Sequence, residues 1–515
     1  MSEVPSGWEI TRSEQRPPLP SASLMITRDG EDGVEILICR RVESMPSFPG
    51  YWAFPGGGIS RVDKSAAKAF PTLHEDPVMG ASFACMLREL VEELGWVISE
   101  GKITLADLDA RKLVLEDKAA WLNLAIESVL PTEVNGLRMV SKRTTPAFAP
   151  MRFENRFLHY HAGAVCDTPS PQLSGQTEFD QTRWLTTKQI LDEWEEHSLK
   201  LPPPLVTLLQ KVSSLLAIHV SMEEVSKVLS KEQPGERSIM FANGVECLPL
   251  PTYTLPPAST TNCYILGDEG GPRIIVDAAA KTPEALKILQ NKIDLIKQDG
   301  GEIIATIFTH RHSDHIGDLS AISNIYQAPI WASAATHKYI PDCDTNKVIK
   351  EGDSFTLSGP KGDVSWNVYL TPGHCEGHIC LSSAAGIIVG DMVAGMGTIL
   401  IPPAEGDMGE YLYQLERLKN MNPHLLFPSH GPVLPLPEKT LSHYIKHRNA
   451  RHERVAEAVE LGLTDLQEIA DFAYADTPNA HPQLKVQQTQ AHLLAWKKEG
   501  NEKVNLILES IGEIF

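Results

Sequence analysis

A chain of 515 residues is longer than one hydrophobic core usually organises, so we expect two or three domains. Hydrophobic residues form 42% and charged residues 22% of the chain, a balance that is ordinary for a soluble globular protein with enough apolar residues for sizeable cores. The formal net charge of −20 disfavours attraction to nucleic acids or anionic membranes, but not a small phosphorylated substrate beside a bound cation. Because the eight cysteines include no Cys-x-x-Cys pair, and neither a secretory signal nor an apolar span occurs, we expect a reduced, cytoplasmic protein without a membrane partner.

The first two hundred residues alternate between short apolar runs and amphipathic segments, which favours an α/β domain. Strands are predicted at 22–26, 34–39, 52–54, 157–165 and 182–185. Helices are predicted at 81–94, 187–196 and from residue 205 onward. Gly95 is expected to end the first of these helices.

The predicted helix at 81–94 carries three carboxylates at spacings of three and four residues. Glu89, Glu92 and Glu93 therefore share one face, opposite the apolar face of the helix. Clustered carboxylates repel one another unless a cation joins them, and their oxygen atoms suit Mg²⁺ or Mn²⁺. Taken alone, three glutamates are more typical of a solvent-exposed acidic face than of a metal site.

Two stretches of this region resemble the Nudix box: Phe54-Pro55-Gly56-Gly57-Gly58, and Arg88-Glu89-Leu90-Val91-Glu92-Glu93-Leu94-Gly95-Trp96. The resemblance covers residues 1–217 as a domain and implies an α/β/α sandwich that cleaves a nucleoside diphosphate linked to another group. It implies that Glu89, Glu92 and Glu93 bind Mg²⁺ or Mn²⁺ and that Arg88 orients the helix. The chain departs from the family pattern, because an insertion follows the glycines and Gly80 occupies the position of the first box glutamate. The insertion and the proline-rich stretch at 201–205 both resemble features of the coenzyme A diphosphatase-like branch of the family.

Residues 218–240 are predicted to form a linker, since Lys231 to Glu236 are polar and turn-rich. From residue 241 onward, strands that end in short polar loops alternate with helices, as in an α/β domain. Strands are predicted at 303–308, 364–370, 387–389 and 425–427, and a helix at 283–297.

Each of these four strands ends at side chains of the types that commonly bind metals in proteins. They are His310, His312, Asp314 and His315 after the first strand, then His374, Asp391 and His430 after the other three. The alternation of His310 and His312 directs both imidazoles to one side of an extended segment. Imidazole suits Zn²⁺ and other divalent first-row metals, and Asp314 and His315 can serve a second cation. A lone His-x-His pair would indicate little, but four strand ends of this kind predict a metal site.

These positions resemble the metallo-β-lactamase superfamily, in the motifs Thr309-His310-Arg311-His312-Ser313-Asp314-His315, Gly373-His374, Asp391 and His430. The resemblance, of the lactamase-β-like and glyoxalase II-like type, covers residues 241–440 and implies a four-layer αβ/βα sandwich. It implies that His310, His312 and His374 hold one metal, that Asp314, His315 and His430 hold another, and that Asp391 bridges two Zn (or Mn or Fe) ions. Asp314 would also orient the nucleophile. Where members often have an Asp-x-Gly turn this chain has Asp277-Ala278-Ala279, which we interpret as structural.

Residues 441–515 are expected to be helical. Segments such as His447-Arg448-Asn449-Ala450-Arg451 and Gln490-Ala491-His492-Leu493-Leu494 resemble the winged-helix-like tail of the lactamase-β-like endoribonuclease branch. A plain helical cap on the hydrolase domain is the alternative.

The sequence thus predicts a multidomain α/β and α+β protein that is a bifunctional metal-dependent hydrolase. One half would hydrolyse an ester, thioester or phosphodiester, and the other a pyrophosphate, with coenzyme A or acyl-CoA as candidate substrates. One alternative is an endoribonuclease for single-stranded RNA, which the acidic composition disfavours. Another is a lactamase-like hydrolase regulated by a non-catalytic Nudix ligand-binding module. Substrate, native metal and oligomeric state remain open.

Overall fold

The computed structural model describes residues 17–146, 149, 151–175, 177–232, 237–498, 500 and 502–511. The chain forms two compact units, an N-terminal unit of residues 14–242 and a C-terminal unit of residues 243–515. Within the described ranges, no helix combines the length and the apolar character needed to cross a membrane.

The N-terminal unit alternates strands and helices, as the pattern of its sequence predicts. Its strands are β1 (Leu19–Gly30), β2 (Gly33–Arg41), β3 (Trp52–Ala53), β4 (Gly56–Gly58), β5 (Trp96–Ser99), β6 (Lys102–Leu105), β7 (Arg138–Thr144), β8 (Phe153–Ala164), β9 (Phe179–Thr186) and β10 (Met240–Ala242). Its helices are α1 (Arg61–Ala69), α2 (Pro77–Glu89), α3 (Leu108–Glu116), α4 (Ala119–Ile126), α5 (Thr187–Glu195), α6 (Pro203–Leu216) and α7 (Met222–Leu229).

A mixed sheet in the order β3-β2-β1-β8-β7 organises this unit, with β4 paired to β1 and β9 paired to β2. β1 runs antiparallel to β2 through the predicted turn and parallel to β8. Helix α2 packs against β1 and β4, while α5 packs against β9 and β2. The α/β class of this unit is therefore confirmed, whereas the Nudix sandwich stays a prediction.

Helix α2 begins four residues before the predicted start at Ala81. The side chain of Asp76 caps it by accepting a hydrogen bond from the backbone N–H of Val78 (2.9 Å), and Pro77 fills the first position. The helix continues into a wider turn at 90–94 and stops at Gly95, whose φ of +67° is left-handed as predicted.

The predicted linker at 218–240 is partly a helix of the N-terminal unit. Met222, Val225 and Leu229 of α7 are buried in the same core as β1, β2 and β8. This amphipathic helix was missed because its polar residues dominate the composition of the segment. The turn-rich residues 233–236 lie outside the described part of the chain.

In the C-terminal unit the strands end where the ligand-type residues begin. The strands are β11 (Val245–Pro251), β12 (Thr260–Leu266), β13 (Pro272–Val276), β14 (Glu302–Ile307), β15 (Ile330–Ala332), β16 (Lys347–Val348), β17 (Ser354–Gly359), β18 (Gly362–Leu370), β19 (Ile379–Ser383), β20 (Gly386–Gly390) and β21 (Leu426–Pro428). The helices are α8 (Pro283–Gln298), α9 (Ser313–Ile316), α10 (Leu319–Ser323), α11 (Ala334–His337), α12 (Met408–Asn420), α13 (Pro437–Glu460), α14 (Leu466–Ala473), α15 (Pro482–Lys498) and α16 (Glu502–Ile511).

Two sheets, each covered by helices, form the layers of this unit. One sheet runs β11-β12-β13-β14-β15-β16 and shares a core with α8, and the other runs β17-β18-β19-β20-β21 and shares a core with α12 and α13. Backbone hydrogen bonds join the two sheets at one edge, from Asn262 N to Ser429 O (2.7 Å) and from Ile379 N to Thr309 O (2.8 Å). The predicted layering of helix, sheet, sheet and helix is therefore present.

The C-terminal segment is helical, as expected, but its predicted boundary at residue 440 falls inside α13. Leu441 and Ile445 of this helix pack in the core of the second sheet, so α13 belongs to both the hydrolase core and the tail. Among the described residues from 441 onward every regular element is a helix, so the winged part of the prediction is not confirmed.

Candidate metal centre

The seven predicted ligand side chains of the C-terminal unit come together at the edge where its two sheets meet. They follow the ends of β14, β18, β20 and β21. Each is at most 5% exposed, although all seven are polar or charged. Their burial in one place implies that something other than water balances their charge.

His310, His312 and His374, which we call the first triad, direct one nitrogen each to a common point. Nδ1 of His312 lies 2.9 Å from Nε2 of His310 and 3.0 Å from Nε2 of His374. Cys375 belongs to the same group, in which all ligand atoms lie within 4.8 Å of one another. Three nitrogens at this spacing fit one tetrahedral cation.

Asp314, His315 and His430, the second triad, form a separate group within the same 4.8 Å limit. Nε2 of His430 lies 3.6 Å from Oδ2 of Asp314, and Nε2 of His315 lies 3.9 Å from Oδ1. This oxygen-containing set differs from the nitrogen set of the first triad, as the sequence predicts.

Asp391 lies between the two triads. Its Oδ1 is 3.5 Å from Nε2 of His315 and 3.4 Å from Nε2 of His430, whereas its Oδ2 is 3.5 Å from Nε2 of His374. One carboxylate oxygen thus faces each triad, which is the arrangement that a bridging ligand requires.

The ring nitrogen of each histidine that faces away from the centre is held by an acceptor outside it. Such partners fix the orientation of the imidazoles and raise their basicity as ligands. The pairs are His310 with Thr309 Oγ1 (3.0 Å), His312 with Glu405 Oε1 (2.9 Å), His315 with Asp277 Oδ2 (2.9 Å), His374 with the backbone O of Leu400 (2.7 Å) and His430 with the backbone O of Thr260 (3.0 Å).

Asp277 has a larger role than the structural turn that its sequence predicts. Besides holding His315, it accepts hydrogen bonds from the backbone N–H of Thr309 (2.8 Å) and from its hydroxyl (2.7 Å). It adopts a left-handed φ of +54° directly after β13. In the sequence, an aspartate directly after the apolar run that forms β13 is the signal that could have marked it as a ligand-positioning residue.

His378 is a second residue whose function the sequence analysis missed. It is fully buried, and its Nε2 accepts a hydrogen bond from the backbone N–H of Asp391 (3.0 Å). Burial lowers the pKa of His378 to about 3, so the ring is neutral and can accept that bond. A Cβ at Gly390 would lie 2.4 Å from the same Nε2, so only glycine allows this approach.

The residues present fit divalent cations. Burial, followed by the neighbouring His315 ring, holds the pKa of His310 well below its ordinary value, which leaves a free lone pair. Burial opposes ionisation of Asp391, but His430 and His315 together hold its pKa well below its usual range. Oδ1 of Asp391 and Nε2 of His315 are buried without a hydrogen-bond partner among the described residues. The neutral imidazole of His310 and the ionised carboxylate of Asp391 are donors of the kind that zinc and related metals bind.

A small open pocket, with a cavity volume of about 30 Å³, lies beside His374, Asp391 and His430. Its wall combines polar side chains with apolar ones, the latter being Leu255, Pro256, Ala258, Ala394, Met396, Ile399 and Leu400. Lysine and arginine are absent from the described residues that line it. The described wall therefore offers apolar contacts beside the ligand-type side chains, and no lysine or arginine for a polyanion.

The three glutamates of the N-terminal unit are not a solvent-exposed face. Glu89 and Glu93 are buried, and Glu92 is half-buried. Oε2 of Glu93 accepts a hydrogen bond from the backbone N–H of Gly56 (3.1 Å), in the glycine loop of β4. The glycine loop and the helix thus meet, as the motif predicts.

Arg88 is tied to carboxylates on two helices. It binds both oxygens of Asp63, at 2.9 and 3.1 Å, and lies 2.9 Å from Glu89 and 3.0 Å from Glu92. Asp63, which is fully buried, comes from helix α1 in the inserted segment and was not predicted. A Cβ at Gly80 would lie 3.2 Å from Cβ of Ala67, so α1 also covers the position of the absent box glutamate.

The glutamate cluster holds more negative charge than Arg88 can balance. Burial, opposed by Arg88 and assisted by Glu92, raises the pKa of Glu89 to about 7, and burial with the charge of Glu89 raises the pKa of Glu93 well above its ordinary value. Among the described residues, however, Glu89, Glu92 and Glu93 do not form a group with ligand atoms within 4.8 Å of one another. The magnesium site therefore stays a prediction.

Comparison with known proteins matches residues 256–430 to the model of the metallo-β-lactamase superfamily. A beta-lactamase-like protein 2 homolog of Drosophila melanogaster is 27% identical over 48% of this chain and 85% of its own length. An atrochrysone carboxyl ACP thioesterase of Aspergillus fumigatus is 26% identical over 39% of this chain and 60% of its own.

Two solved structures also resemble parts of the chain. A metallo-beta-lactamase family protein from Thermus thermophilus is 20% identical, with a TM-score of 0.42 over 51% of this chain and 95% of its own. A NUDIX hydrolase from Alicyclobacillus acidocaldarius is 26% identical, with a TM-score of 0.38 over 43% of this chain and 100% of its own. At TM-scores below 0.5, neither superposition adds to what the site itself shows. Residues 256–430 thus carry a metallo-β-lactamase superfamily domain, and the protein is a metal-dependent hydrolase.

Proposed function

We propose that the C-terminal unit hydrolyses an ester or thioester at a dinuclear metal centre. The observation that carries this proposal is the position of Asp391, with one carboxylate oxygen toward each triad. The first triad would hold one cation and the second triad another, and Asp391 would bind both cations. The metal would be zinc, manganese or iron. When bound, the cations supply Lewis acidity and lower the pKa of water.

The residues of the chain orient the reactants around this centre. Asp314, buried beside His430, is assigned the orientation of the attacking water. Asp277, Glu405 and His378 keep the ligands in place through the hydrogen bonds described above. The apolar residues of the pocket wall, such as Leu255 and Ile399, would contact the acyl side of the substrate.

An acyl substrate is supported by the chemistry of the pocket. Its wall offers apolar contacts from residues such as Leu255, Met396 and Ile399. RNA binding would require lysine or arginine for the phosphates, and the described lining residues include neither. The name of one relative, a thioesterase, is consistent with the same class of reaction. We therefore favour an ester or thioester over a phosphodiester.

For the N-terminal unit we propose cleavage of a pyrophosphate, with coenzyme A or an acyl-CoA as the substrate class. Glu89, Glu92 and Glu93 would hold Mg²⁺ or Mn²⁺, and Arg88 would position them. The raised pKa values of Glu89 and Glu93 support this assignment, because a cation would relieve the repulsion that raises them. A fusion of the two activities suits one substrate that contains both an acyl thioester and a diphosphate.

A ligand-binding role without catalysis is the second candidate for this unit. The observation that favours it is the engagement of Glu89 and Glu92 by Arg88, which leaves them less available to a cation. Glu92→Gln separates the two roles. Loss of pyrophosphate cleavage in this variant supports catalysis, whereas an unchanged background rate with retained nucleotide binding supports the binding module.

The proposal is tested with one screen of acyl-CoA, nucleotide-sugar and single-stranded RNA substrates. Wild type is compared with His312→Ala and Glu93→Gln. We expect His312→Ala to abolish thioester hydrolysis and Glu93→Gln to abolish pyrophosphate cleavage. If His312→Ala changes the turnover of no substrate, the C-terminal proposal fails, and RNA cleavage that requires His312 would replace it with an endoribonuclease.

A further inference from the structure

One cysteine lies against the first triad. Cys375 follows His374 directly, is a free thiol and is completely buried. Its sulfur and the ligand nitrogens of His310, His312 and His374 lie within 4.8 Å of one another. The first triad is therefore part of a group of four ligand-type side chains.

The turn between β18 and β19 places His374 and Cys375 on the same side. Neighbouring side chains of an extended segment point in opposite directions, so a tight turn is needed to bring both to one site. The turn is closed by a hydrogen bond from Thr371 N to His378 O (2.8 Å). At its two ends are glycines in the left-handed region, with φ of +126° at Gly373 and +76° at Gly377.

Neither glycine can be replaced without moving this turn. A Cβ at Gly373 would lie 2.4 Å from the backbone of Tyr411, and one at Gly377 would lie 2.4 Å from Oγ of Ser333. The fold therefore fixes the position of Cys375 as firmly as that of its neighbour His374.

We propose that the thiolate of Cys375 is a further protein ligand of the first cation, beside the three imidazoles of the first triad and the bridging Asp391. The step breaks the S–H bond, releases the proton to solvent and forms a sulfur–metal bond, with no change of oxidation state. A set of three imidazoles and one thiolate selects zinc over the harder manganese. This inference rests on the proposed dinuclear centre and deepens it.

Zinc X-ray absorption of the full-length, zinc-loaded protein tests the proposal without any variant. We expect one sulfur per chain at about 2.3 Å from zinc, beside nitrogen and oxygen ligands at about 2.0–2.2 Å. A first shell of nitrogen and oxygen alone would overturn the role of Cys375 and leave the dinuclear proposal standing. Absence of stoichiometric zinc would overturn both.

Cobalt substitution provides the second measurement. Wild-type protein loaded with Co²⁺ should show sulfur-to-cobalt charge-transfer absorption in the near ultraviolet. Cys375→Ser should lose this band while it retains cobalt. Cys380→Ser is the matched control, because Cys380 is equally buried nearby but bonds Thr371 Oγ1 (3.2 Å) and belongs to no ligand group among the described residues. A band that persists in Cys375→Ser, or disappears in Cys380→Ser, contradicts the assignment.

Discussion

The two units bury clusters of ligand-type side chains in different ways. In the C-terminal unit the ligands come from four strand ends that are far apart in the sequence. In the N-terminal unit they come from one stretch of helix, with Asp63 and the Gly56 backbone as the partners from elsewhere. In the C-terminal unit the candidate ligand atoms gather around two points. In the N-terminal unit Arg88 balances part of the negative charge of the glutamates.

This difference shows how much of a metal site can be arranged before the metal binds. In the histidine centre, outer partners such as Asp277 and Glu405 hold the rings, and Asp391 keeps a buried oxygen without a hydrogen bond among the described residues. In the glutamate cluster, Glu89 and Glu92 already pair with Arg88, so cation binding must compete with existing ion pairs.

The largest effect is expected when one imidazole of the first triad is removed, which tests whether the histidine centre binds metal. In His312→Ala the nitrogen that lies 2.9 and 3.0 Å from its neighbours is lost. We expect hydrolysis by the C-terminal unit to fall by at least about 10²–10³-fold, the loss typical of one charge-stabilising group. Steady-state rates with metal analysis measure it, and His443→Ala, at an exposed position, is the control. Retention of both metals and activity would contradict the ligand assignment.

Removal of Asp63 tests whether the N-terminal cluster depends on internal ion pairing. Asp63→Ala leaves the buried Arg88 without its bidentate partner, and breaking such a pair costs about 3–5 kcal/mol. Hydrogen exchange of α2 in the full-length protein measures the loss of stability. The control Asp180→Ala breaks an exposed pair with Arg40 and should cost about 0–1 kcal/mol. Equal effects of the two substitutions would show that Arg88 does not need Asp63.

Asp277→Asn tests the outer partners of the histidine centre. Asparagine tolerates the left-handed backbone at this position but weakens the hydrogen bond to His315. We expect metal affinity to fall by about 10–100-fold, as is usual for an outer partner of a ligand. Competition with a chelator measures it, and Glu416→Gln, on the exposed face of α12, should change nothing.

His159, a buried histidine of the N-terminal unit, should make the stability of that unit depend on pH. Burial, then the charges of His161 and Arg138, lowers the pKa of His159 to about 3, while its ring nitrogens lie 2.8 Å from Thr27 Oγ1 and 2.5 Å from Ser226 Oγ. Because the unfolded chain binds a proton near pH 6.5, this contribution to stability is present above pH 6.5 and is lost as the pH falls toward 3.

Between about pH 6.5 and about pH 5 the loss should be about 2 kcal/mol of unfolding free energy for the N-terminal unit. Denaturant titrations of wild type and His159→Gln at both pH values measure it, and the variant should show a smaller difference. His219→Gln, a half-buried histidine of the same unit, is the control. Equal pH dependence in wild type and His159→Gln would contradict the argument.

Sequence alone determined the local elements and which side chains are candidate ligands. Apolar runs that end in polar loops predicted the strands, and the alternation of His310 and His312 predicted their common direction. These features depend on residues close in the chain, where steric preference and hydrophobic periodicity act. The winged form of the tail rested on resemblance, the magnesium site on resemblance and on the spacing of three glutamates, and both stay predictions.

Only the tertiary structure decided which distant side chains serve those ligands. Asp63 reaches Arg88 from 25 positions away, Asp277 reaches His315 from 38, and Cys375 joins the first triad through a turn that two glycines hold. Helix α7 likewise joined the N-terminal core although its composition indicated a linker. Such contacts form because buried polar groups must find partners wherever the packed chain offers them, and no local pattern in the sequence records that choice.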